Sequence, residues 1–333
     1  MTSPVVVAVV GTGLMAEFFS AEDEARLREA AAALGGEYLR ADRLVDVPDP
    51  SGTRIVVTSW GAPPFDGAVL DRMPRLELVA HTGATVKPFV TDELFARGVR
   101  VTQAGDAMAR PVAEVSLAFT LALLHRIPEM SHGLRERSGW YDPAVGVQHQ
   151  ILDAPIAVIG ASRTGRAYLA LIRALGARPL LVDPTVGAAD AEALGAEKSG
   201  LDDALRRARI VALHAPTLPE THRMIGAREL ALMPDGAGLV NTARSWLLDG
   251  AALEAELRTG RIAAALDVFD EEPLPADSVL RALPNALLTP HRAAGTVEGR
   301  LAQGRIVADE IGAFVAGRPL QHGITLDQLA LMA

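Results

Sequence analysis

Arg244, Glu272 and His291 each fall after a strand-like apolar run in the second half of the chain: Gly238–Asn241, Ala263–Val268 and Ala286–Leu288. Residues that follow neighbouring parallel strands share one end of a sheet, and ligands of open α/β sheets bind at that end. An arginine, a carboxylate and a histidine gathered there suit one kind of chemistry. Reducing a ketone by hydride leaves an alkoxide, so a proton donor must stand beside the carbonyl oxygen and a cation should fix an adjoining carboxylate. His291 suits the first task and Arg244 the second. A carboxylate beside an imidazole holds the ring and favours its protonated form. Taken singly, each residue has an ordinary reading as a solvated charge, a satisfied histidine or a local cap. Their joint placement after successive strands favours the chemical one. His81, His125, His132, His149, His214, His222 and His322 keep the ordinary reading, and their side chains are expected to be structural.

Hydride needs a carrier, and a carrier motif lies upstream. Gly160-Ala161-Ser162-Arg163-Thr164-Gly165 joins the strand-like run Ile156–Ile159 to a helical stretch, and it reads as G-x-G-x-x-G with serine at the middle glycine. Gly160 allows the tight turn, Gly165 lets helix pack on strand, and the helix N-terminus faces a pyrophosphate. Asp183 follows the next strand, 23 positions after Gly160, where an acid accepts hydrogen bonds from ribose hydroxyls and repels a 2′-phosphate. NAD is therefore the expected cofactor. Ser162 is expected to weaken its binding, since a side chain stands where backbone approaches phosphate. A second glycine pair, Gly11 and Gly13, has Ala16 at the third position and no acid at the matching distance, and reads as a structural turn.

The elements that must position these residues form two series. Val5–Val10, Arg54–Val57, Leu76–Ala80 and Val99–Thr102 read as strands around the helix Ala21–Leu34. A long helix is expected from Pro111, whose fixed φ suits a first helical turn, to His125. Gly133–Gln150, with Trp140, Tyr141 and Pro143, reads as an irregular connection. The second series alternates the strands Ile156–Ile159, Pro179–Val182 and Ile210–Leu213 with the helices Thr164–Leu175 and Asp202–Ala208, and Val297–Val315 closes it. The expected fold is α/β with two doubly wound parallel-sheet domains. Two cores fit 333 residues, because single cores stop growing at roughly 250–300.

Composition removes several function classes. A net charge of −9 argues against a nucleic-acid footprint, and the absence of cysteine excludes disulfides and thiolate chemistry. No metal site is expected. Val112–Leu124, interrupted by Glu114, is shorter than the roughly 20 residues that span a bilayer. No basic segment precedes Val5–Val10, so no secretory signal is read there, and a cytoplasmic location without a membrane partner is expected.

Along Val99–Gly317 the sequence resembles the D-2-hydroxyacid dehydrogenase family. The resemblance rests on Pro111-Val112-Ala113-Glu114, the glycine turn, Leu213-His214-Ala215-Pro216, Asn241-Thr242-Ala243-Arg244, Ala265-Leu266-Asp267-Val268-Phe269 with Glu272-Pro273, and Thr289-Pro290-His291, in that order. It implies Arg244, Glu272 and His291 as the catalytic set, with Glu272 as the partner of His291. It also implies cofactor contacts at His214, Ala215, Pro216, Thr242 and Ala243, and at Asp267 toward the nicotinamide carboxamide. A Rossmann NAD-binding domain, 126–301, would be inserted in a flavodoxin-like substrate domain made of 1–125 and 302–333, with the active site in the cleft and a homodimer formed largely through the nucleotide domain. Substrate contacts would come from Thr82, Gly83, Ala84 and Lys87 of a glycine-containing loop, from Arg110 and from Arg244.

Three departures from the family pattern concern the substrate more than the reaction. Ser245-Trp246 replaces the glycine that usually follows the arginine, Met108 stands where many relatives have asparagine, and the loop ending at Lys87 lacks the usual acid. Lys87, Arg110 and Arg244 together would suit a small anionic substrate with a second anionic group. The alternative is one carboxylate, with Arg110 a surface residue. Two other functions fit the same motifs: oxidation of a phosphonate- or phosphite-type substrate, and an NAD-sensing corepressor-like binding role.

Overall fold

The computed structural model describes residues 3–136, 140 and 145–331. The chain divides into two compact units: the first runs to Met108 and resumes at Ala294, and the second is Ala109–Ala293. Tyr141 and Pro143 of the expected connection lie outside the described residues. The part before them is regular, since Ile127–Glu136 is a helix.

The sheet of the first unit contains β1 (Pro4–Val9), β2 (Glu37–Ala41), β3 (Ile55–Thr58), β4 (Leu78–His81) and β5 (Arg100–Gln103). Their order is β5-β4-β3-β1-β2, all parallel, and the two-residue strand Gly323–Ile324 adds an antiparallel edge beside β5. This is the flavodoxin-like order. Successive side chains of β1 point to opposite faces: Val6 and Ala8 pack with Phe18, Leu27 and Ile311, whereas Val7 and Val9 pack with Phe65, Leu70 and Val101. Both faces are covered, as a parallel sheet requires. Two expectations need correction here. Leu94–Gly98, which from the sequence continues the βα alternation toward Val99–Thr102, is largely helical, within Asp92–Ala96. β2 was not expected, because Glu37-Tyr38-Leu39-Arg40-Ala41 is a half-exposed edge strand whose polar residues hide the strand pattern.

The second unit holds β6 (Pro155–Ile159), β7 (Arg178–Val182), β8 (Glu197–Lys198), β9 (Ile210–Leu213), β10 (Gly238–Asn241), β11 (Ala263–Leu266) and β12 (Ala286–Leu288). They are parallel throughout in the order β12-β11-β10-β9-β6-β7-β8. The order is that of a dinucleotide fold with one further strand, and it reverses between β6 and β9. Among the described residues the ends that follow β6, β7, β9, β10, β11 and β12 carry every residue expected to meet cofactor or perform catalysis in this unit.

The unit boundaries differ from those expected. The helix Asp106–Leu124 begins before Pro111, which occupies its sixth position and so removes one interior amide. From Ala113 onward it packs Phe119, Leu123 and Leu124 against Ile156, Tyr168 and Leu169, so it belongs to the second unit and not to the first. The helix Val297–Val315 belongs wholly to the first unit, where Val307, Ala308, Ile311 and Phe314 join the core around Val6 and Phe18. Burial of a helix face, which helical periodicity cannot assign to one sheet or another, decides both boundaries. Asp106–Leu124 is also long and apolar enough to cross a membrane by length and composition alone, but the side chains just named are in a protein core.

Gly304 shows how tightly the long helix is seated. A Cβ there would lie 1.8 Å from the carbonyl oxygen of Phe18, whereas at Gly312 the nearest atom is the end of Arg26 at 4.0 Å. Glycine in a helix interior ordinarily costs about 0.5–1 kcal/mol relative to alanine, so the two positions should respond with opposite sign. Gly312→Ala is expected to raise stability by roughly that amount, and Gly304→Ala to lower it by about 1–3 kcal/mol through overpacking against backbone. Urea unfolding of the two variants checks this.

Candidate active site

β10, β11 and β12 end level with one another, with Asn241 beside Leu266 and Leu266 beside Leu288. Arg244, Glu272 and His291 follow within a few residues, so one sheet edge gathers all three. The Nδ1 atom of His291 lies 2.7 Å from Oε2 of Glu272, and Oε1 of Glu272 accepts the Phe269 amide at 3.0 Å. Burial alone would raise the Glu272 carboxyl, but the hydrogen bonds from His291 and Phe269 and the charges of His291 and Arg244 together hold it below the usual carboxylate value. Arg244 has extended backbone, donates from Nη1 to the Ala243 carbonyl at 2.7 Å, and has its own carbonyl held by Asn241 Nδ2 at 2.9 Å. Its pKa is lowered by burial and partly restored by Glu272. The guanidinium stays charged at neutral pH regardless. Since Nδ1 faces the carboxylate, Nε2 is the ring nitrogen left to exchange a proton with another molecule.

Asp267 has structural work in addition to the contact that the resemblance implies. It is 1% exposed, and its two oxygens take the Thr289 hydroxyl at 2.5 Å, the Arg292 amide at 2.9 Å and the Ala293 amide at 2.9 Å. The buried carboxylate thereby closes the segment that carries His291, whose φ of 49° lies in the left-handed region that non-glycine residues enter at a cost. Oδ2 accepts only the Ala293 amide and keeps a lone pair, so the contact toward a nicotinamide carboxamide implied by the resemblance stays open beside the brace. Position after a strand could not separate these two roles, because both place a carboxylate at the same sheet edge.

The glycine turn fits a dinucleotide. Gly160 has φ 101°, and a Cβ on it would meet the Ala215 nitrogen at 2.6 Å; a Cβ on Gly165 would lie 2.1 Å from the Gly160 carbonyl. Backbone therefore lines the turn, and the N-terminus of the Arg163–Ala174 helix opens there. Ser162 is the N-cap of that helix, its hydroxyl accepting the Gly165 amide at 3.2 Å. The serine thus has a structural purpose that the comparison with glycine concealed. Arg163 and Thr164 begin the helix, with Arg163 exposed. Asp183 stands after β7, accepting the Ala161 amide at 2.7 Å and both the amide and hydroxyl of Thr185. Burial would raise its carboxyl, but these bonds and the charge of Lys198 keep it low. Lys198, which the sequence did not mark for this site, donates to the Asp183 carbonyl.

After β9, the His214 side chain points into the core against Tyr168, with ring centroids 4.9 Å apart. Burial pushes its pKa down to about 3, so the ring is neutral. Only the backbone of His214, Ala215 and Pro216 is left to adjoin the glycine turn. Thr242 is tied to Ser116, hydroxyl to hydroxyl at 2.7 Å, and the Ala243 amide donates to Asn241 Oδ1 at 3.0 Å.

The expected substrate residues lie in both units. In the first, Thr82 donates its hydroxyl to Ser59 at 3.1 Å and is fully buried, Gly83 lies over the His81 ring, and Lys87 is exposed. A Cβ on Gly83 would come within 2.7 Å of His81 Nε2. His81 itself bonds Thr58 Oγ1 at 3.0 Å, and burial lowers its pKa to about 4, so a neutral ring supports the loop. In the second unit Arg110 is exposed and pairs with Glu114 at 2.5 Å, one helical turn on. Among the described residues no group of three acidic, histidine or cysteine side chains could hold a metal ion.

A nucleotide-binding turn at the switch point of a parallel sheet, with a histidine–carboxylate pair and a half-buried arginine at the same edge, marks a dinucleotide-binding α/β unit. Residues 117–293 match the NAD binding domain of the D-isomer specific 2-hydroxyacid dehydrogenases, and this chain belongs to that family. NAD is the cofactor of its second unit. The chain is 33% identical over 311 residues to D-3-phosphoglycerate dehydrogenase of Mycobacterium leprae, matching 91% of this chain and 58% of that protein. It is 34% identical over 261 residues to glyoxylate reductase of Aeropyrum pernix, matching 76% of this chain and 78% of that one. A solved phosphoglycerate oxidoreductase from Rhizobium etli superposes with a TM-score of 0.79 at 25% identity, covering 98% of this chain and 99% of the other. The chain spans about half the length of the D-3-phosphoglycerate dehydrogenases it matches.

The brace and the cofactor contact can be told apart. Asp267→Asn replaces one acceptor oxygen by a donor facing an amide, so it should cost at least about tenfold in kcat, in keeping with the loss of one charge-assisted bond. NADH affinity, measured by calorimetric titration, should change less than about threefold, well under that cost. A larger loss in NADH affinity than in kcat would put the cofactor role first.

Proposed function

We propose that this chain interconverts a small 2-keto acid and its 2-hydroxy acid with NAD(H), in the cytoplasm. The observation that carries the reading is the 2.7 Å contact of His291 with a Glu272 carboxylate that also feels the Arg244 charge, all at the edge where the glycine turn lies. Gly160, Ser162, Arg163, Thr164 and Gly165 would hold the pyrophosphate, Asp183 the ribose, and the Ala215-Pro216 and Thr242-Ala243 backbone the remainder. Bound NADH supplies the hydride. Arg244 fixes the substrate carboxylate, and His291 gives its Nε2 proton to the carbonyl oxygen as charge builds there. Glu272 keeps the ring oriented and balances the imidazolium before transfer. Thr82, Gly83, Ala84 and Lys87 of the first unit are the further substrate residues. Because Arg110 is neutralised by Glu114, the favoured substrate carries one carboxylate and no second anionic group.

A panel of 2-keto acids, assayed by loss of NADH absorbance, tests this. Monocarboxylates such as glyoxylate or pyruvate should be turned over, and a preference for phosphorylated keto acids would overturn the charge assignment. His291→Ala should lower kcat by about 10²–10⁴ with NADH binding nearly intact. Glu272→Gln removes the charge that stabilises the protonated ring and should move the profile to lower pH. An unshifted profile would take Glu272 out of the proton transfer.

We further propose that the partner is a second copy of the chain, joined through the second unit. On the Ile127–Glu136 helix the large apolar residues Ile127, Met130 and Leu134 stand 51%, 39% and 61% exposed at a spacing of three and four. That spacing makes them one face, and an exposed apolar face on a soluble unit marks a contact surface. Ile127→Glu with Leu134→Glu should halve the mass seen by sedimentation equilibrium, and a native chain that already sediments as a monomer would end the proposal.

A further inference from the structure

Trp246 lies two residues after Arg244, in the Ser245–Leu247 turn. The structure gives this tryptophan three ties, all to one segment. Its indole Nε1–H donates to the Leu218 carbonyl at 2.9 Å, its ring lies against His222 with centroids 4.1 Å apart, and its carbonyl accepts the Arg223 amide at 2.8 Å. The neighbouring backbone continues the seam: the Ile225 amide donates to Leu247, and Ile225 and Leu248 form a parallel bridge.

That segment, Pro216–Arg223, is the stretch that leaves the cofactor end of β9. It is stiff within itself, because the Thr221 hydroxyl donates to the Pro216 carbonyl at 2.7 Å and accepts the Leu218 amide at 2.9 Å. On the other side of Trp246, the Arg244 carbonyl is held by the fully buried Asn241, and the Ser245–Leu247 turn follows directly. A push on Pro216 therefore reaches Arg244 through bonded groups only: Thr221, Leu218, the indole, and the main chain through Ser245. The backbone bonds at Trp246 and Leu247 would survive with any side chain. The indole bond and the ring contact would not.

We propose that Trp246 is a positioning residue that couples the Pro216–Arg223 segment to Arg244, so that NADH bound against Ala215-Pro216 prepares Arg244 for the keto-acid carboxylate. This rests on the dehydrogenase reading and adds an order to it: cofactor binding tightens substrate binding, and by linkage the substrate tightens cofactor binding by the same factor.

The test compares the native chain with Trp246→Ala and with Trp246→Phe, which keeps an aromatic ring on His222 and loses only the N–H donor. Amide exchange read by mass spectrometry is the readout that does not depend on turnover. In the native chain NADH should slow exchange in residues 245–249 as well as in 216–223; in Trp246→Ala the slowing should stay within 216–223. With the keto acid that the panel identifies, Trp246→Ala should raise KM about tenfold, within the usual range of coupling between sites, with kcat little changed, and Trp246→Phe should fall between. Equal slowing of 245–249 by NADH in native and Trp246→Ala chains overturns the proposal, as does an unchanged KM. If no keto acid is turned over, the dehydrogenase reading fails while the exchange comparison still decides whether Trp246 couples the two segments.

Discussion

Three parallel strands that end at the same level are the constraint from which the site follows. In a parallel sheet the register fixes which residues leave the edge together, and here Asn241, Leu266 and Leu288 are aligned. The segments beyond them can then bring an arginine, a glutamate and a histidine together without any long excursion of the chain. What remains is to hold the histidine still, and Asp267 does that from beneath. Its three hydrogen bonds lie in a buried setting, where each is worth more than on the surface and where leaving one unmade is costly. The left-handed backbone at His291 is a cost this brace offsets.

The cofactor end is governed by exclusion of side chains. At Gly160 and Gly165 the space a Cβ would need is taken by backbone of the turn and of the segment after β9. Helix, strand and turn approach each other as closely as main chain allows, which leaves the helix N-terminus open toward an anion. Ser162 fits this economy because its hydroxyl caps the helix it begins, and an N-cap serine contributes about 1 kcal/mol relative to alanine.

Charge is used sparingly around the chemistry. His81 and His214 are buried and neutral, and each supports a loop, not a reaction: the glycine loop in one unit and the segment after β9 in the other. Arg110 is balanced by Glu114 one turn away. In the second unit the catalytic edge is thus left with Arg244 acting on Glu272 and Glu272 acting on His291, an alternation of sign that lets the arginine and the histidine both carry positive charge beside one carboxylate.

By itself the sequence determined the class of fold and the nucleotide turn, and it singled out the trio proposed for catalysis, because each is marked by local patterns. Apolar runs followed by turn residues mark parallel strands, the glycine spacing reports where backbone must come close, and Arg244, Glu272 and His291 each follow such a run. The edge strands Glu37–Ala41 and Glu197–Lys198 were not legible, since a strand with one free edge needs little apolar character. Only the tertiary structure decided which core the helices Asp106–Leu124 and Val297–Val315 enter, because an apolar face does not name its partner. The same holds for Asp267, Arg110, Ser162 and Trp246. Whether a polar side chain meets a ligand, a helix end or another side chain depends on what lies within about 3 Å of it, the reach of a hydrogen bond, and that distance is set by residues far away in the chain.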